Sequence, residues 1–208
     1  MSINVITVPV GPLGVNCYIV SDLNNDKALI IDPGGDFYSI KQKLNEINKQ
    51  AGAVIVTHCH FDHVLAVSDF QKEGVPVYMH FADEDFITSN GNLAKYFGLK
   101  MNLFTLDNRL IGGFFDICGY KVQIIETPGH TDGSICIIID NYLFSGDTLF
   151  FGSYGRTDFP SGSKLKLINS AKKLFALERD YVVCPGHDSK TTLYNEKKNN
   201  PIRMLFED

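Results

Sequence analysis

The 208-residue sequence has no run of five basic residues, no C-x-x-C pair, and no apolar stretch near the roughly 18 residues that cross a bilayer. Each absence removes a class of function. With no basic tract, and 19 Lys and Arg against 24 Asp and Glu for a net charge of −5, no nucleic-acid partner and no anionic membrane surface is expected. The nearest apolar run, Ile135 to Ile139, is too short to span a membrane. Met1-Ser2-Ile3-Asn4 does not begin a basic region, apolar core and cleavage site, so the expected location is the cytoplasm. Cys17, Cys59, Cys118, Cys136 and Cys184 are odd in number and widely spaced, which in a chain this long points to reduced thiols.

What is present is an ordinary globular composition, 44% hydrophobic and 21% charged. The length and the lack of a linker or low-complexity tract predict a single domain over residues 1–208. Short apolar runs closed by turn residues predict strands at Val15 to Val20, Ala28 to Ile31, Ala53 to Val56, Val75 to Met79, Val122 to Ile125, Ile135 to Ile139, Tyr142 to Phe144 and Tyr181 to Val183. Helical spacing follows a cap at Asp36 or Ser39 (Ile40, Leu44, Ile47). It recurs at Val64, Val67 and Phe70, and again from Leu167 to Phe175. The expected class is α/β, helices covering buried sheets. Phe81 to Leu110 breaks this rhythm and reads either as a helical insertion that shapes a pocket or as a loosely patterned helix and loop.

Histidine is distributed least evenly. Of six, five fall in three short polar segments, and only His80 lies elsewhere. Thr57-His58-Cys59-His60-Phe61-Asp62-His63 follows the apolar run Ala53 to Val56 directly, so three imidazoles and a carboxylate gather where a strand gives way to a turn. Imidazole with carboxylate suits zinc, iron or manganese in a catalytic role, whereas a closed structural zinc site would favour thiolates. Three later strands end the same way, in Pro128-Gly129-His130, Ser145-Gly146-Asp147 and Pro185-Gly186-His187. Candidate ligands past strand ends are where open α/β sheets form their clefts. Five His and two Asp are too many for one tetrahedral ion and suit two ions sharing a carboxylate. Cys59 alternates with the His pair and should point away.

The run T-H-x-H-x-D-H with its distant His, Asp and His resembles the metallo-β-lactamase superfamily, and nearly the whole chain takes part. Gly11-Pro12-Leu13-Gly14-Val15-Asn16-Cys17-Tyr18, Asp32-Pro33-Gly34 and Gly155-Arg156-Thr157-Asp158-Phe159-Pro160 are similar to segments of its glyoxalase II-like branch. The resemblance implies a four-layer αβ/βα sandwich with two divalent cations at one edge, zinc first and iron or manganese as alternatives. It makes His58, His60 and His130 ligands of one ion and Asp62, His63 and His187 ligands of the other, with Asp147 and a hydroxide bridging them. The implied activity is hydrolysis of a small-molecule thioester of the S-lactoylglutathione kind. Asp62 and Asp147 would be the catalytic carboxylates. A thiolate leaving group, with a pKa near 8.5, needs little help from an acid. Asp147 disfavours the secreted β-lactamases, which usually carry Cys or Ser in that region.

The resemblance does not extend to the C-terminal helical region with which glyoxalase II enzymes grip glutathione, so the thiol carrier stays open. A mononuclear iron persulfide dioxygenase of the same fold, using His58, His130 and Asp147, is the alternative. A metal-retaining sensor is opposed by the complete ligand set. Around the centre, Asp32 is expected either to orient a ligating His or to serve the turn before Pro33. Arg156 is expected to hold a substrate carboxylate or, preferentially, to pair with Asp158, and Tyr154 to stand at the pocket rim.

Overall fold

Odd and even residues of a strand face opposite ways, and here both faces are apolar. Leu29, Ile31, Ala53 and Ile55 join one core cluster, whereas Ala28, Ile30, Val54 and Val56 join another. Such strands are buried on both sides. A computed structural model describes residues 3–206. Its first half comprises β1 (Ile3–Val10), β2 (Val15–Asp22), β3 (Lys27–Ile31), α1 (Phe37–Glu46), β4 (Gln50–Ile55), α2 (Phe61–Val64), α3 (Val67–Lys72), β5 (Val77–His80) and β6 (Asn108–Leu110). These strands form one sheet in sequential order, antiparallel from β1 to β3 and parallel from β3 to β6.

The second half comprises β7 (Gly113–Ile117), β8 (Tyr120–Glu126), β9 (Ile135–Ile139), β10 (Tyr142–Gly146), β11 (Leu149–Phe150), β12 (Ser153–Tyr154), α4 (Lys164–Phe175), β13 (Val182–Pro185), β14 (Thr191–Thr192) and α5 (Leu193–Asn199). The second sheet has the order β14-β13-β10-β9-β8-β7, and β11 pairs with β12 in a separate hairpin. The two sheets meet face to face through Leu29, Ile31 and Ile55 on one side and Ile124, Ile137 and Phe144 on the other. Ile40 and Leu44 of α1, with Val67 and Phe70 of α3, cover the outer face of the first sheet. Leu174 of α4 and Leu193 of α5 cover the second. The result is the expected four layers, helix, sheet, sheet and helix.

Local departures from the sequence reading have local causes. The helix expected through Val64, Val67 and Phe70 is broken, because the Ala66 N–H donates to the Pro33 carbonyl at 3.0 Å rather than to the carbonyl four residues back. Asp36 does precede α1, but its carboxylate accepts from the Gly11 N–H at 2.8 Å and caps nothing. The ambiguous segment contains two 3₁₀ turns, Phe81–Ile87 and Asn90–Asn92, and no α-helix among the described residues. No described helix is long and apolar enough to cross a membrane.

Candidate metal centre

β4 ends at Ile55, and within five residues the chain has turned into α2 with His60 as the extended residue before it. That turn delivers His58 and His60 on one side and Asp62 and His63, in the first turn of α2, on the other; all four side chains are buried. The loop after β8 adds His130, the end of β10 adds Asp147, and the end of β13 adds His187. All seven converge. His60 Nδ1 lies 3.1 Å from His58 Nε2 and 2.9 Å from His130 Nε2. His187 Nε2 lies 3.2 Å and His63 Nε2 3.6 Å from Asp62 Oδ2. Asp147 stands between the two trios, with Oδ1 3.4 Å from His63 Nε2, and Oδ2 3.5 Å from His130 Nε2 and 3.8 Å from His187 Nε2.

Bare glycine backbone permits this convergence at two points. Gly146 has φ +47°, and a Cβ there would come within 2.4 Å of Thr57 Oγ1. A Cβ on Gly186 would lie 2.3 Å from Asp147 Oδ1 and 2.7 Å from the His63 ring. Any larger residue would push the strand ends apart.

The outward nitrogens of the rings are also held. His63 Nδ1 lies 2.9 Å from Asp32 Oδ2, and Asp32 is fixed in turn by the Thr57 N–H and hydroxyl, each donating at 2.7 Å. His130 Nδ1 donates to the Arg156 carbonyl at 2.8 Å. Such contacts set which ring nitrogen faces the centre. Electrostatically the trios differ. Burial, reinforced by the neighbouring imidazoles, holds His58 far below its ordinary pKa and takes His60 down to about 3. At His63 burial also acts downward, yet Asp147, Asp62 and Asp32 overcome it and raise the pKa; at His187 burial is likewise outweighed, by Asp62 and Asp147. Burial raises the Asp62 and Asp147 carboxyls, but the adjacent imidazoles win and hold both low. Neutral His58 and His60 and ionised Asp62 and Asp147 are in the protonation states that bind a cation. The carboxylates favour protonated His63 and His187, which would release a proton on ligating one.

The residues fit divalent ions on independent grounds. His63 Nε2 and Asp147 Oδ1 are fully buried, face each other, and have no hydrogen-bond partner. Buried polar atoms are rarely left so, and buried carboxylates are paired or coordinate metal. His58–His60–His130, His58–His63–Asp147 and Asp62–His63–His187 each bring three donor atoms within 4.8 Å of one another. An N/O donor set of this kind suits zinc, iron or manganese.

Of the remaining candidates, the Arg156 side chain makes two hydrogen bonds to Asp158, at 2.7 and 2.6 Å, and lies 3.9 Å over the Phe159 ring. Tyr154 is not brought to the cleft: β12 turns its ring toward Leu167 and Ile202, where it packs against the C-terminal segment. Cys59 points away into the first core, and burial pushes its thiol up; burial likewise pushes Cys184 up to about 12. A cavity of about 290 Å³ opens on the centre, walled by Leu13, Phe61, Leu93, Phe97, Phe150 and Phe159.

One buried acid was missed by the sequence reading. Asp83 accepts from the Cys59 N–H at 3.0 Å, the Gly133 N–H at 2.7 Å and the Thr131 hydroxyl at 2.8 Å. It ties the turn carrying His58 and His60 to the loop carrying His130. Its only local signal, an acidic cluster with Glu84 and Asp85, reads as surface.

A family model described as the metallo-beta-lactamase superfamily matches residues 10–187. Hydroxyacylglutathione hydrolase GloC of Haemophilus influenzae is 34% identical over 207 residues, covering 96% of this chain and 97% of that protein. The crystal structure of the BLEG-1 B3 metallo-beta-lactamase is 29% identical with a TM-score of 0.91, covering 99% of this chain and 100% of that one. That of TTHA1623 in a di-iron-bound form is 32% identical with a TM-score of 0.85, over 94% and 98% of the two chains.

Proposed function

The chain belongs to the metallo-beta-lactamase superfamily, and from that premise we propose that it is a dinuclear metal-dependent hydrolase of a small thioester, acting as a single domain in the cytoplasm. The observation that carries this reading is Asp147, whose carboxylate reaches both trios: Oδ1 lies near His63, and Oδ2 near His130 of one trio and His187 of the other. His58, His60 and His130 would hold one cation and Asp62, His63 and His187 the other, with Asp147 shared. When bound, the two cations supply Lewis acidity, making water a competent nucleophile near neutral pH and polarising a carbonyl oxygen.

The chain's own groups do the rest. Asp62 offers a carboxylate oxygen to orient the attacking water. Asp32, through His63, and the Arg156 carbonyl, through His130, keep the rings aimed at the centre. Phe97, Phe150 and Phe159 exclude bulk water from the cleft and favour an acyl group of modest size. Apart from Arg156, every polar side chain lining the cavity among the described residues belongs to the cradle itself. No separate proton donor stands beside the leaving group, an arrangement that suits a thiolate better than an amine. Five free cysteines among the described residues suit a reducing compartment.

Zinc is the first choice of metal, with iron or manganese as alternatives; the structural relative described as di-iron-bound is a reason to assay all three. The test is metal analysis of the purified protein joined to a panel of thioester, lactone, β-lactam and thiol persulfide, before and after chelation. About two ions per chain, with thioester cleavage lost on chelation and restored by metal, is the expected outcome. One iron per chain with oxygen uptake on the persulfide would replace this reading with the dioxygenase. Faster opening of the β-lactam than of any thioester would also overturn it.

A further inference from the structure

The cavity over the metal centre does not stand alone. A second one, of about 560 Å³, adjoins it and shares Leu93, Arg156 and Phe159 as common wall. The two differ in character: the first is walled by aromatic and aliphatic side chains, whereas the second adds Asn90, Lys95, Tyr96 and Asp158. Its charges are unequal. Arg156 and Asp158 neutralise each other through their paired hydrogen bonds, while Lys95 forms no ion pair with any carboxylate among the described residues. Lys95 therefore lines this cavity as a cation without a carboxylate partner among the described residues, on a protein whose net charge is −5. Lys95 and Tyr96 come from the irregular segment between β5 and β6, not from the framework that holds the seven metal-binding candidates.

We propose that the second cavity receives the carrier end of the substrate and that Lys95 meets a carboxylate on it, so that the preferred substrates are thioesters of an acidic thiol. The proposal rests on the hydrolase reading. The acyl end lies in the apolar cavity, the thioester sulfur sits near the Phe159 wall, and the carrier runs past Arg156 to Lys95, with the Asn90 amide available for a neutral polar group. Arg156 is committed to Asp158 and braces the passage, leaving discrimination to Lys95. An ammonium–carboxylate contact is worth more than a neutral hydrogen bond and weakens with salt, which gives the preference a signature of its own.

The experiment compares S-lactoylglutathione with its diethyl ester, which keeps the skeleton and removes the carboxylates, on metal-loaded wild type, Lys95→Glu and Lys100→Glu. Lys100 is exposed on the same segment and lines neither cavity. Wild type is expected to favour the free acid about tenfold in KM, the ratio shrinking as salt rises; Lys95→Glu brings it to one or below, and Lys100→Glu leaves it as in wild type. Calorimetry with S-methylglutathione and its diethyl ester, thioethers that lack the scissile thioester, should reproduce the same preference and its loss. An unchanged ratio in Lys95→Glu overturns the proposal, and so does an equal loss in Lys100→Glu, which would signal a general field. If neither thioester is cleaved, the hydrolase reading fails, while the calorimetric arm still decides whether Lys95 selects the acid.

Discussion

The floor and the roof of the cleft are made by opposite means. The floor consists of turns at the ends of β4, β8, β10 and β13, where buried side chains hold one another through contacts of 2.7 to 3.6 Å. The roof is the irregular segment between β5 and β6, with Tyr96 79% and Leu103 64% exposed. Groups that must share a small ion tolerate little displacement, so they lie on rigid strand ends; groups that select a substrate can be carried by an irregular segment, here anchored to the first core by Ile87, Leu93, Met101 and Phe104. Asp83 crosses the division through hydrogen bonds, rising from the first turn of the roof to the floor, while Phe86 and Phe97 cross it by packing on His60 and Phe61.

The largest effect is expected at the floor's centre. Asp147→Ala should lower turnover by about 10³-fold or more and reduce the metal content found by elemental analysis; undiminished activity would remove the shared-ligand role. Chelation should then lower the melting temperature of the wild type and leave that of Asp147→Ala far less changed, because an ion at 1,000 times its Kd adds about 4 kcal/mol to the folded state.

Asp83→Ala is the sharpest test of the division itself. Three donors lose their acceptor in a dry environment, and denaturant unfolding should show a loss of about 2–4 kcal/mol together with weaker metal retention. If stability falls but metal retention does not, Asp83 belongs to the roof alone. Phe97→Ala, in the roof proper, should raise KM severalfold and leave metal content and fold stability within about 1 kcal/mol of wild type, since the ring is 44% exposed. The smallest effect is expected at His80, whose pairing with the half-exposed Glu126 is worth about 1 kcal/mol or less. His80→Ala should keep its metal, and loss of metal there would mean that the cradle is wrongly drawn.

The same division governs what could be read from the chain. Each expected strand is present because a buried strand writes itself as a contiguous run of Val, Ile and Leu, needing no partner to be recognised. β1 was not among them: only half-buried at the edge of its sheet, it leaves a weaker pattern. The helix interruption at Ala66 depends on a carbonyl 33 residues away, that of Pro33, and no local pattern contains it. Tyr154 followed the candidate loop in sequence but not in space, because the β11–β12 hairpin faces the C-terminal segment. Asp83 and Lys95 were invisible for a related reason. Each is an ordinary charged residue in a polar stretch, and only the neighbours supplied by folding make one a buried anchor and the other an unpaired cation beside a cavity.

By itself the sequence determined which side chains are candidates for a metal centre and that they follow strands, because residue type, apolar runs and the glycine before each turn are local properties. Only the tertiary structure decided that Asp147 lies between two trios, that Arg156 is occupied by Asp158, and that the cleft continues toward Lys95. Those are distances between segments far apart in the chain, set by how two sheets pack, and residue spacing along a chain does not fix how its sheets meet.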